Sequence, residues 1–321
     1  MSTANPTVVA RLAGPAPPTP RRAQRGGRGF GDASDRVLAF WLLLPAALLL
    51  GLVVVYPVGR LIYTSFFDVR LSTPGAGRPF VGLDNYAFAL LQDDRFWGSF
   101  RNTLLITLVT VPGALVVGLA LALLANLPFR IRWPIRLALL LPWALPLVFA
   151  GLIFRWFFDS RYGVVNDVLR LLGLGQVLWL TSPRLAFLTI CLTIIWKTSS
   201  FMALVLLAGL QTIPRELYEA AQVDGSSRLQ QFWQVTLPLL RPAIVVALVF
   251  RTITAVQTFD IPYAMTGGGP GEATETLAMY VHKTTIDFLD FGGGSALAVL
   301  MFLFSLVATT IYLRFVRGGE A

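Results

Sequence analysis

The sequence is poor in most of what a soluble enzyme uses. Among 321 residues there is one cysteine and one histidine, and charged residues make up only 13%. Cys191 cannot form an internal disulfide and stands inside an apolar run, which excludes a disulfide framework and a cysteine-based metal site. His282, beside Lys283, has no cysteine or histidine companion and reads as an exposed residue where a loop meets a helix, with no metal bound. No Gly-x-x-x-x-Gly-Lys-Ser/Thr occurs. The glycine runs Gly267 to Gly269 and Gly292 to Gly294 are not followed by the lysine that a phosphate-cradling loop needs. Asp287 and Asp290 are placed near an aqueous surface, as a solvated face rather than an acid/base pair. Soluble domains carry about 25% charged residues, so an ordinary soluble enzyme is excluded.

What the chain does have is apolar length. Hydrophobic residues reach 55%, with a mean hydropathy of +0.68, and they fall in long uncharged runs rather than alternating with charge. A hydrocarbon core of about 30 Å needs roughly 20 helical residues. Six runs qualify as spans: 37–59, 102–127, 137–156, 185–210, 240–261 and 294–314. The fourth contains Lys197 and the fifth Arg251, cations that must face protein or water rather than lipid. The expected fold is an all-α integral membrane bundle of six helices.

Net charge is +9, and 24 of the 26 cations are arginine. With a cytoplasmic N-terminus, the inner segments hold 14 cations against 6 acids and the outer segments 10 against 10, which places both termini in the cytoplasm. Residues 1–36, rich in Pro, Gly and Arg, read as a disordered basic tail. The run after it is too long and lacks the cleavage site of a signal peptide. On the outer side, Val165, Val168, Leu169 and Leu172 form the stripe of a short amphipathic helix. No outer segment is long enough for a folded domain.

The cytoplasmic segment 211–238 carries the most information. Pro214 suits a first helical turn, and Glu216 and Glu219 favour its positive end. Gly225 closes that helix, and Ser227 with Gln230 forms a capping box opening a second one, which should stop before Pro238. Two short helices about a glycine also describe a DNA reader, but membrane spans within a few residues on either side keep it out of a groove, so no nucleic-acid partner is expected. Leu217, Tyr218, Leu229, Phe232 and Trp233 put apolar area on a surface that nothing in this chain covers, which points to a protein partner.

The spacing Glu219-Ala220-Ala221, Gly225, Val235, Leu237-Pro238 resembles the EAA signature of ATP-binding-cassette importer permeases. The stretch Phe259-Asp260-Ile-Pro-Tyr-Ala-Met-Thr-Gly-Gly-Gly-Pro270, followed by Thr276-Leu277 and Tyr280, is similar to the region before the last span in the sugar-type members. The resemblance covers roughly 37–316 and is to the maltose, lactose and glycerol-3-phosphate class of type I importers. Six spans and short loops depart from the enterobacterial maltose permeases, so maltose is not implied.

The resemblance implies a non-catalytic subunit in the bacterial plasma membrane, binding no cofactor itself, with ATP and Mg on a partner ATPase. It implies four companions: a second permease subunit, two ATPase subunits and an extracytoplasmic solute-binding protein. Glu219, Ala220, Ala221, Asp224, Gly225, Leu237 and Pro238 would couple to the ATPase. For the solute path, intramembrane polar residues on shared helix faces are the candidates: Thr189, Thr193, Lys197 and Ser200 on the fourth span, and Arg251, Thr254 and Thr258 with Gln257 on the fifth. Asp260 falls on the opposite side of its helix from Arg251. Trp196, Phe259 and Tyr263 supply nearby rings. Serine and threonine also bond their own helix backbone, which is the competing use. A glycerol-3-phosphate or polyol importer is the alternative solute class. A stand-alone secondary transporter would depend on Asp260, and a membrane enzyme would need clustered carboxylates or histidines that are missing.

Overall fold

The computed structural model describes residues 31–73, 77–127 and 132–317, and the chain falls into two units, 1–57 and 58–321. Most of the expected tail, residues 1–30, lies outside the described residues. Helix α1 (Gly31–Leu50) already begins inside the tail's expected boundary. It continues through a π turn, Gly51–Val55, into α2 (Tyr56–Thr64).

In the second unit follow α3 (Asp84–Leu91), α4 (Asp94–Asn126), α5 (Arg132–Ala144), α6 (Leu147–Phe157), α7 (Val164–Leu171) and α8 (Pro183–Gln211). Then come α9 (Arg215–Val223), α10 (Arg228–Gln231), α11 (Leu237–Val256), α12 (Asp260–Thr266), α13 (Leu277–His282) and α14 (Phe291–Arg317). Among the described residues β structure is confined to two isolated bridges, Phe67 with Phe80 and Arg70 with Asp290.

Among the described residues, five helices are long and apolar enough to cross a membrane: Val37–Thr64, Asp94–Asn126, Pro183–Gln211, Arg228–Val256 and Phe291–Thr310. The expected third span, 137–156, is not one helix. It is broken between Ala144 and Leu147, and neither α5 nor α6 alone reaches the length a bilayer needs. Pro146 explains the break, because it drives Leu145 away from helical backbone and cannot donate to the turn before it.

The expected fifth span, 240–261, is also revised. Its helix runs from Arg228 and ends at Val256; Asp260 opens a separate helix. Pro262 sits in the first turn of α12, where a missing N–H costs nothing. Nor does the chain stop before Pro238: α10 passes through a π turn, Phe232–Thr236, into α11. The same order of π turn, one residue, then proline occurs at Gly51–Val55, Tyr56 and Pro57. A proline ring presses on the carbonyl four residues back, and the widened turn relieves that clash without ending the helix.

Within a bilayer, helices associate through close packing rather than by leaving water. Small residues supply it here. A Cβ on Gly118 of α4 would lie 2.6 Å from Met202 Cβ and 3.0 Å from the Ser199 carbonyl of α8. Gly151 of α6 is as close to Ala264 of α12, and Gly209 of α8 to Ala243 of α11. Thus α8 is the central post, with Ala203, Leu206, Leu207 and Leu210 buried near the α9 end and Ile190, Cys191 and Ile194 near the α12 end.

Candidate functional site: a coupling elbow and a polar cavity

At one end of the bundle, α9 stops in the manner its sequence dictates. Gly225 has φ +78°, the left-handed region glycine adopts without strain. The Ser226 N–H donates to Ala221 O at 2.9 Å and the Gly225 N–H to Gln222 O at 3.0 Å, the paired bonds of a Schellman closure. Asp224 is the C-cap. The capping box then forms: the Ser227 N–H donates to Gln230 Oε1 at 2.7 Å and the Gln230 N–H to Ser227 Oγ at 3.3 Å. A hydrogen bond of 3.0 Å between Tyr218 and Thr236 and another from Gln231 Nε2 to Ser226 O tie the two helices into an elbow.

This hydrogen-bonded elbow is uncovered. Glu219, Ala220 and Gly225 are exposed and Ala221 is half-buried. Val223 is 88% exposed and Trp233 60%, with Leu217 and Leu229 also open. Leu237 and Pro238, half-buried, lie in the first turn of α11 and join the elbow to a long membrane helix.

Deeper in the bundle, the polar residues of the two spans separate into distinct roles. Thr193 Oγ1 donates to Thr189 O at 2.8 Å and both are fully buried, as is Ser200. Lys197 donates to Trp143 O at 2.7 Å, so its ammonium holds the broken end of α5. None of these four lines the cavity of about 90 Å³ formed where α11 meets α12. Arg251, Thr254, Gln257, Thr258 and Asp260 do line it, together with Thr198 and Phe259. The helix break at Val256 brings this about: Asp260, expected on the far side of Arg251's own helix, faces the same cavity from α12. Phe259 stacks on Tyr263 at 4.9 Å, whereas Trp196 packs on Phe154. His282 is not an exposed loop residue but sits half-buried against Phe259 and Tyr263.

A third arrangement had no signal in the sequence. Glu275, fully buried, receives Arg95 Nε at 2.8 Å and Nη2 at 2.9 Å, and Lys283 Nζ at 2.8 Å. Burial pushes its carboxyl up, but the bonds and charges of Arg95 and Lys283 outweigh burial and hold it below the usual range. Asn102 Nδ2 donates to the carbonyls of Glu272 and Glu275, fastening the glycine-rich loop to α4. Asp93 caps α4 and accepts the Tyr280 hydroxyl at 2.6 Å. Burial, then that bond, raises the Tyr280 phenol. Asp290 is likewise engaged: it accepts the Gly293 N–H at 2.8 Å.

Residues 114–318 match the family model for the binding-protein-dependent transport system inner membrane component. The chain is 64% identical, over 90% of its length and 93% of the relative's, to the sulfoquinovosyl glycerol transport system permease protein SmoG of Agrobacterium fabrum. It is 38% identical, over 86% of itself and 92% of the relative, to the trehalose/maltose transport system permease protein MalF of Thermococcus litoralis. In fold it is similar to a chain of a bacterial alginate ABC transporter in complex with an alginate pentasaccharide-bound periplasmic protein. That match has a TM-score of 0.77 at 24% identity, covering 89% of this chain and 96% of the other. The chain belongs to the family of binding-protein-dependent transport system inner membrane components, and is an ABC transporter permease.

Proposed function

We propose that the chain is the non-catalytic permease subunit of an ATP-driven importer of glycosides, of which sulfoquinovosyl glycerol is the representative solute. The observation that carries the reading is the exposed apolar elbow of α9, closed at Gly225 and continuous through α10 with a membrane helix. The sugar-named relatives support the solute class over a glycerol phosphate or polyol. In this reading ATP and Mg belong to two partner ATPase subunits, and α9 fits a groove on one of them. Closure of the ATPases draws the elbow inward and rocks the bundle between inward-open and outward-open states. A second permease subunit completes the path, an extracytoplasmic binding protein delivers solute, and both termini face the cytoplasm of a bacterial plasma membrane.

Reconstitution tests this. Liposomes containing the chain with its second permease, ATPases and binding protein are expected to accumulate sulfoquinovosyl glycerol only when ATP is present on the ATPase side. Uptake by the two permeases without the ATPases would overturn the proposal in favour of a stand-alone carrier.

A further inference from the structure

Arg251 is 4% exposed and lies in a membrane helix, five residues before its end at Val256. Its Nη2 donates to Thr110 Oγ1 at 2.8 Å and its Nη1 reaches Thr254 Oγ1 at 3.4 Å, while its Nε is buried with no partner. Among the described residues no carboxylate comes within 4.0 Å of the guanidinium. Two neutral hydroxyls do not balance a full charge taken out of water, and a buried cation lacking a counter-ion is among the costliest arrangements a bilayer protein can hold. Lys197, the buried cation of α8, donates to a backbone carbonyl. Arg251 instead lines a cavity, and that cavity of about 90 Å³ has room for about three waters. This suits a tetrahedral anionic head group rather than a whole glycoside.

The same lining carries one carboxylate. Asp260 faces the cavity from the first turn of α12 but does not come within 4.0 Å of the guanidinium, so the two form no ion pair. Thr254, Gln257 and Thr258 add neutral donors and acceptors suited to oxyanion and hydroxyl oxygens. A solute with one anionic end and a polyhydroxylated body matches this polarity; a neutral sugar leaves the guanidinium unanswered.

We infer that Arg251 is the specificity-determining counter-charge for an anionic group on the transported glycoside, of the sulfonate class. This rests on the glycoside-importer reading above. A planar guanidinium presents paired N–H donors to such an oxyanion, which Thr110 helps to orient.

The test uses the complete transporter in liposomes, with sulfoquinovosyl glycerol and neutral glucosyl glycerol each at a concentration saturating the binding protein. Arg251→Met is expected to lower the ratio of sulfonated to neutral uptake, each measured per assembled complex, about tenfold or more, the scale of one lost charge-assisted contact. Arg251→Lys keeps the charge and should keep the preference for the sulfonated solute even where its rate falls. Equal proportional loss of both solutes in Arg251→Met, an unchanged ratio, or loss of the preference in Arg251→Lys would each overturn the inference alone. If Arg251→Met does not assemble, the preference measured in Arg251→Lys decides. Wild-type complex that hydrolyses ATP yet imports neither glycoside overturns the underlying reading instead.

Discussion

Arg95 and Glu275, 180 residues apart in sequence, meet through two hydrogen bonds of 2.8 and 2.9 Å around a carboxylate that water does not reach. Lys283 closes the other side and also donates to Gly267 O at 3.0 Å. The start of α4, the glycine-rich loop and the end of α13 are thereby fixed to one point. Glu275→Gln keeps the shape and leaves two cations short of their counter-charge. The expected cost is about 2 kcal/mol, at the low end for a buried ion pair because both cations keep some access to water. The thermal midpoint of the purified protein measures it.

The same carboxylate sets an acid dependence. Its folded-state value lies below that of an unfolded glutamate, so its stabilisation is complete above the ordinary range and is lost as pH falls through the lowered value. Wild-type protein should therefore lose thermal stability on acidification below about pH 4.5. Glu275→Gln should show a shallower loss over that interval; equal slopes would remove Glu275 from the account.

Asn166 is the buried residue of α7. Its amide nitrogen donates to Ser160 O and Val177 O, and its oxygen accepts from the Val177 N–H and Trp179 Nε1. One side chain thus closes the loop between α6 and α8. Asn166→Leu should free segment 159–182 for limited proteolysis while the membrane helices remain protected, at a cost of about 1–3 kcal/mol for the unsatisfied backbone groups.

Lys197→Met tests the broken third span. Without the ammonium, Trp143 O at the end of α5 loses its 2.7 Å partner. Faster amide hydrogen exchange confined to about 143–150 is the expected result, with exchange in α4 and α8 unchanged.

How much of this was legible beforehand follows from the range of each interaction. The capping box at Ser227 and the closure at Gly225 are settled within six residues, so the sequence alone specified both. Of the six long runs read as spans, five overlap helices long and apolar enough to cross a membrane. Pro146 was visible, but the apolar run around it dominated the reading of 137–156, and breaking a helix depends on whether a partner such as Lys197 can satisfy the freed carbonyl. In α7 the apolar stripe marks the helix itself, with Val168 and Leu172 exposed on it, but a polar side chain such as the buried Asn166, which ties the helix to its loop, leaves no periodic signal. Arg95 and Glu275 had no local signal, since each reads as an ordinary surface charge until the fold joins them. Arg251 and Asp260 were singled out individually; their shared cavity depended on the unforeseen break after Val256.

Gly225 offers a test of coupling that leaves the fold alone. Nothing lies within 4 Å of a Cβ built there, but the left-handed backbone strains other residues by about 1–2 kcal/mol, a β-branched one most. Gly225→Val should insert and assemble normally, with solute-stimulated ATP hydrolysis lost.

The central claim is that the elbow of α9 receives work from a nucleotide-driven partner. Cys191 is buried, whereas position 223 is open, so Val223→Cys places a reactive thiol on the elbow. With a short thiol-to-amine cross-linker in the assembled transporter, the account predicts a product joining this chain to the ATP-binding subunit, with a yield that changes on adding ATP. If the thiol reacts freely with a maleimide but no such product forms, α9 is not the coupling element.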